Sequence, residues 1–171
     1  MKNNMKNTNQ ETIGDFVKKH ITDNKTWVDL NKYVYDYLNE EDAGLFRDLM
    51  VCIPAFNFVY RFLIAKIDMY GDVIVCGNKH KCYTSYHYNY PVVDVYKDLI
   101  AKMSIYVKLC LNSIKEEYAK NKELRIWAKS NAATWNTINH FAKDYGIKFK
   151  IVWDDNLKTP YMDIIGITDN E

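Results

Sequence analysis

No stretch of this 171-residue chain is apolar for long enough to span a bilayer. The longest run free of charged residues and histidine, "LMVCIPAFNFVY" at 49–60, falls short of the roughly 20 residues a crossing helix needs, and Pro54 and Asn57 interrupt it. The N-terminal "MKNNMKNTNQ" lacks an apolar h-region, so no secretory signal and no membrane partner are expected. Charge of one sign is also missing. The 23 basic and 22 acidic residues leave a net charge of +1, which excludes a global field that would draw in nucleic acid or an anionic membrane. Cysteine is sparse: Cys52, Cys76, Cys82 and Cys110 form no dense framework and no CxxC pair. A reducing cytoplasm is the expected compartment, that of the host cell if the protein is viral. There is no internal repeat and no glycine-rich phosphate cradle.

What is present suits one globular domain. The composition, 48% hydrophobic and 26% charged, can bury a core. A disordered tail is expected at 1–10, then a single domain over 11–171, helical at 11–70 and mixed at 71–171. Fourteen tyrosines are unusual, but Lys, Asn and Ile are also plentiful, as an AT-rich genome would produce.

Hydrophobic spacing places the elements. Thr12 and Asp15 have capping-box spacing ahead of Ile13, Phe16, Val17, His20 and Ile21 on one helical face. Thr26 and Asp29 repeat the signal before Trp27, Leu30, Val34, Tyr37 and Leu38. Asn39 and "EED" open a third helix, carried by apolar positions from Leu45 to Ile67, kinked at Pro54 and ended by Gly71. "DVIVCG" and "HKCYTSYHY" read as a β-hairpin, and Pro91 starts a long amphipathic helix from Val92 to Tyr118. "LRIWAKS" is a strand, "NAATWNTINHFAKDY" a helix closed by Gly146, and "IKFKIVW" and "MDIIGI" are the last strands. Strand, helix and strand over about 30 residues imply a right-handed crossover with parallel neighbours. The expected fold class is α/β, with α+β the alternative: N-terminal helices followed by a ββαβαββ core in one mixed sheet.

Four places carry candidate chemistry. "CGNKHKCYTSYH" holds Cys76, His80, Cys82 and His87. Strand alternation puts His80 and Cys82 on one face and His87 on the other, and Cys76 joins the first pair only across a loop of odd length. Three Zn²⁺ ligands result at best, with a fourth, such as His140, from elsewhere; an aromatic hairpin with cysteines as small apolar residues is the preferred reading. Lys129, Ser130 and Asn131 stand where a strand hands over to a helix, a place that attracts anions, although Ser130 or Asn131 capping the helix is the simpler role. Asp154, Asp155 and Asp163 would hold Mg²⁺ for a nuclease if they converged, while Asp-Asp-Asn is also ordinary turn composition. Tyr83, Tyr86, Tyr88 and Tyr90, mixed with Lys79, Lys81, His80 and His87, would make a stacking platform for single strands, but packing should take one face of that hairpin.

The segment "LRIWAKSNAATWNTINHFAKDYGIKF", 124–149, resembles the central strand–helix part of RNase-H-like 3′–5′ exonucleases of phage type. The order of hairpin, long helix, strand and helix is similar as well. The resemblance implies an RNase-H-like core without that family's metal site. "DVIVCG" has Asp72 but no glutamate, and Ala132, Ala133 and Thr134 stand where the family has an aspartate. The expected function is therefore a small cytoplasmic binding protein that acts without catalysis on a protein partner, such as a phage or mobile-element inhibitor or assembly component. The alternatives are a Mg²⁺-dependent nuclease or phosphoesterase, and a Zn²⁺-stabilised module; nucleic acid is the second partner class.

Overall fold

The first helix forms where the capping residues put it. Thr12 Oγ1 accepts a hydrogen bond from Asp15 N at 3.2 Å and opens α1 (Ile13–His20), which buries Ile13, Phe16 and Val17 completely. The structure, a computed structural model, describes residues 10–22, 25–52, 63–77 and 81–168, without the side chains of 81–83. Nine of the ten tail positions lie outside the described residues. By its internal contacts the chain forms two compact units: one holds the described residues 10–50 and 63–102, the other 51–52 and 103–168.

In the first unit, the segment after Thr26 does not become helical at once. Val28–Asp29 forms a short strand, β1, and a 3₁₀ turn covers Leu30–Tyr33 before the single helical turn α2 (Val34–Tyr37). Pairing of Val28 with Ala65 overrides the local helix signal, and Asp29 Oδ1 instead caps the 3₁₀ turn through Asn31 N at 3.0 Å. α3 (Glu40–Cys52) starts as its sequence predicts, with Asn39 Oδ1 accepting from Asp42 N at 2.7 Å and three acidic residues in the first turn. Pro54 lies outside the described residues. Ile64–Ile67, expected at the end of that helix, is strand β2, paired antiparallel with β3 (Val73–Gly77). β4 (Lys81–Tyr86) completes an antiparallel sheet of order β1-β2-β3-β4.

Aromatic rings fill much of this unit. Phe16 meets Tyr33 and Tyr37 edge-on, with centroids 5.2 and 5.5 Å away, and Phe46 meets Tyr96 edge-on at 5.5 Å. The buried Tyr96 hydroxyl donates to the Leu30 carbonyl and Tyr37 donates to Glu11. Burial drives both phenols far above their ordinary pKa, and for Tyr37 the Glu11 carboxylate adds to it. These two core tyrosines each give their hydroxyl an acceptor.

The long helix α4 (Val92–Asn121) forms as the periodicity predicts, its first part belonging to the first unit and the remainder to the second. In the second unit, β5 (Arg125–Trp127), α5 (Ala132–Phe141), β6 (Ile147–Asp154) and β7 (Thr159–Ile167) follow in the expected order. Gly146 turns the chain into β6 at φ +70, and a Cβ there would sit 1.9 Å from the Thr168 carbonyl oxygen. Cys110 of α4 bonds through its thiol to Thr134 and Thr137 of α5, and burial raises the thiol pKa.

The strand pairing differs from expectation. β7 lies between β5 and β6 and is antiparallel to both, giving the order β5-β7-β6. The crossover from β5 to β6 exists, yet these two strands are not neighbours. The closing hairpin folds its second strand into the gap, where β7 gains a partner on both edges. Helices and strands are both present, as expected, but the described strands form two antiparallel sheets. The single mixed sheet, and the RNase-H-like core with it, is not observed.

Candidate functional site

Residues facing each other across a ladder share a sheet face, so the register of the second unit assigns its surfaces. Ile126 and Met162 form one row of the inner face and are buried, as are Ile164 of β7 and Ile138 of α5. The outer face carries two rows: Trp127, Tyr161 and Val152, then Arg125, Asp163 and Lys150. Trp127 and Tyr161 are in ring contact at 4.8 Å, and the Arg125 guanidinium lies 4.6 Å over the Tyr161 ring. These neighbours cover Tyr161, leaving Trp127 half-buried and Arg125 and Lys150 exposed.

At one end of this face a groove of about 340 Å³ opens between the strand-to-helix turn and the β6–β7 turn. Trp127, Lys129, Ser130, Leu157 and Thr159 line it. The structure thus brings Lys129 and Ser130 into one groove with an aromatic floor. Asn131, the third candidate at this turn, is the N-cap of α5 by position but makes no side-chain capping bond. The turn is held by backbone instead, with Asn131 N donating to the Trp127 carbonyl at 2.9 Å.

The three carboxylates do not converge. Asp154 pairs with Thr159, whereas Asp163 pairs with Lys150, four residues back along β6. At about 3.3 Å per residue these positions are roughly 13 Å apart along the ladder. Asp154 Oδ1 accepts from Asn156 N at 2.9 Å and Leu157 N at 2.8 Å, so it organises the turn. Asp163 stands across from a cation on each side, Arg125 and Lys150. Among the described residues no group of three His, Cys, Asp or Glu could hold a metal ion.

In the first hairpin, Gly77 pairs with Lys81, so the connection has the odd length needed to put Cys76 and Cys82 opposite each other. Cys76 is fully buried, and exposed His87 uses Nδ1 to accept from Asn89 N at 3.2 Å. His80 and the side chains of Cys82 and Tyr83 lie outside the described residues. Tyr86, a stacking candidate by sequence, is turned into the core and does not face outward. It is 7% exposed and donates to Asp98 Oδ2 at 2.8 Å, because its strand face is the packed one. Tyr88 donates to Asp15 Oδ1 at 2.6 Å, which holds that carboxyl below its usual pKa. Sequence reading missed Arg125, Tyr161, Leu157 and Thr159, which reach the Trp127 groove or its flank only through the antiparallel register. No protein-family model, curated protein or solved structure matches this chain.

Proposed function

We propose that this chain acts by binding another protein, without catalysis, and that the Trp127 groove and the sheet face beside it make the contact. The observation that carries the reading is the stack of Trp127, Tyr161 and Arg125 beside the groove. Trp, Tyr and Arg are the residue types that dominate binding hot spots, where a rigid ring fills a desolvated pocket and polar groups ring it. Lys129 and Ser130, both exposed, supply that polar rim. The near-neutral charge of the whole chain also suits a protein partner better than a polyanion.

The test compares wild type with Trp127→Ala and Lys129→Glu as bait in the same extract. A partner retained by wild type and lost by both variants supports the groove. A partner held equally by all three removes it. Cations Arg125, Lys129 and Lys150 around the aromatic pair favour single-stranded nucleic acid as a second reading. That reading requires a labelled single strand to bind with salt-sensitive affinity and to lose binding in Trp127→Ala; a strand that stays unbound at low salt ends it.

A further inference from the structure

Among the described residues β6 is the outer strand of its sheet, paired only with β7. Its free edge can be read residue by residue. Ala128 N donates to the Pro160 carbonyl and Ile164 N donates to the Leu124 carbonyl, so Pro160 and Ile164 aim their backbone groups away from β6 and toward β5. Backbone direction alternates along a strand, so Tyr161 and Asp163 aim at β6, where their partners Val152 and Lys150 aim back. Phe149, Ile151 and Trp153 therefore point their N–H and C=O groups outward, at the open edge. Their side chains share the inner face, yet Ile151 is 56% and Trp153 55% exposed. An eight-residue edge with an exposed apolar row is a template for another strand.

The geometry points to a second copy of this chain as the occupant: β6 pairs with β6 of the partner, antiparallel, about a twofold axis through Ile151. Only registers that set outward residues against outward residues make hydrogen bonds, which leaves alternatives two residues apart. Centring on Lys150 would place two lysines face to face. Centring on Val152 shortens the overlap at the turn. Centring on Ile151 sets Ile151 against Ile151, Phe149 against Trp153 twice, and Lys148 against Asp154 twice. Apolar meets apolar on one face and opposite charges meet on the other, with about six interchain backbone hydrogen bonds in the ladder. Lys148 and Lys150 would normally blunt an edge. Here they lie on the face opposite the apolar row, and this register gives Lys148 an aspartate and Lys150 a valine. The product is a closed isologous dimer with one continuous sheet of order β5-β7-β6-β6-β7-β5.

Sedimentation velocity on the full chain tests this. Wild type at about 100 µM should sediment as a dimer. Ile151→Lys, which puts two ammonium groups on the axis, should sediment as a monomer with an unchanged circular dichroism spectrum, since the side chain is more than half exposed. Lys148→Glu should weaken the dimer about tenfold, because two attractive pairs become repulsive. Under mild oxidation Ile151→Cys should form a 151–151 disulfide, the paired Cα atoms being about 5.5 Å apart, and Lys148→Cys should form no 148–148 bond. A wild-type monomer at that concentration, a dimer indifferent to Ile151→Lys, or a 148–148 cross-link would overturn the assignment.

Discussion

Two glycines in helices should respond to alanine with opposite signs. Gly44 lies within α3, and a Cβ built on it meets nothing within 4 Å. Gly44→Ala should gain helix propensity alone, up to about 1 kcal/mol. Gly14 lies in the first turn of α1, where a Cβ would stand 2.2 Å from Tyr88 Cδ2 and 2.6 Å from its Cγ. The near atoms include the root of the ring, so the whole side chain must move. It is held by its hydroxyl on Asp15 and by the Lys18 ammonium 4.5 Å from its centroid, while Gly14 N is bonded to the Tyr88 carbonyl at 3.1 Å. Overpacking of this kind costs about 1–3 kcal/mol and outweighs the propensity gain. Gly14→Ala should therefore lower stability, by up to about 2 kcal/mol. Urea unfolding followed by circular dichroism reads both variants as midpoint shifts of opposite direction. In a Tyr88→Ala background the Gly14→Ala penalty should vanish or change sign, since the two sites share one contact. If Gly14→Ala stabilises as much as Gly44→Ala, the Tyr88 ring is not seated on α1 and the reasoning fails.

Other perturbations test other parts of the account. His20, between Phe16 and Tyr33 at 4.6 and 4.3 Å, has its pKa lowered chiefly by burial and next by Lys19. The unfolded chain then binds the proton more readily. This contribution is complete above the ordinary value of 6.5 and is lost as pH falls from there through the lower folded value. The urea midpoint should drop between about pH 7.5 and pH 5.5, and less so in His20→Phe. Asp154→Ala should cost about 1–2 kcal/mol in thermal or urea unfolding by removing both turn bonds, with exposed Asp155→Ala within about 0.5 kcal/mol of wild type; equal effects would contradict the turn assignment. Met162→Ala, fully buried at the centre of its sheet, should cost about 2–5 kcal/mol. A small midpoint shift for that variant would mean the inner face is not packed.

Local signals in the sequence were enough for elements whose cause is local. Thr12, Asn39 and Gly146 end or begin helices by chemistry within a few residues, and the stripe from Val92 onward needs no partner to be recognised. Ile64–Ile67 was not readable in this way. Its apolar spacing continues a helical pattern, and only β3 and β1 on its two sides make it a strand. The same limit hid the sheet order. "IKFKIVW" and "MDIIGI" announce an antiparallel hairpin, but not on which side of β6 the last strand will lie. That side decides the site. With β7 next to β5, Tyr161 meets Trp127 and Asp163 meets Arg125, while the hairpin register itself holds Asp163 away from Asp154. Lys129 and Ser130 were legible because the strand-to-helix turn is local; the floor and far wall of their groove were not.

Proton contacts across the second sheet test the account most directly, because the groove and its aromatic stack exist only if β7 separates β5 from β6. In a wide antiparallel pair the Cα atoms approach to about 4.5 Å, close enough for strong contacts between Cα protons in a nuclear Overhauser spectrum. The account predicts such contacts between Trp127 and Tyr161 and between Ile151 and Met162. Contacts joining Ile126 directly to Ile151, with Tyr161 remote from Trp127, would contradict it.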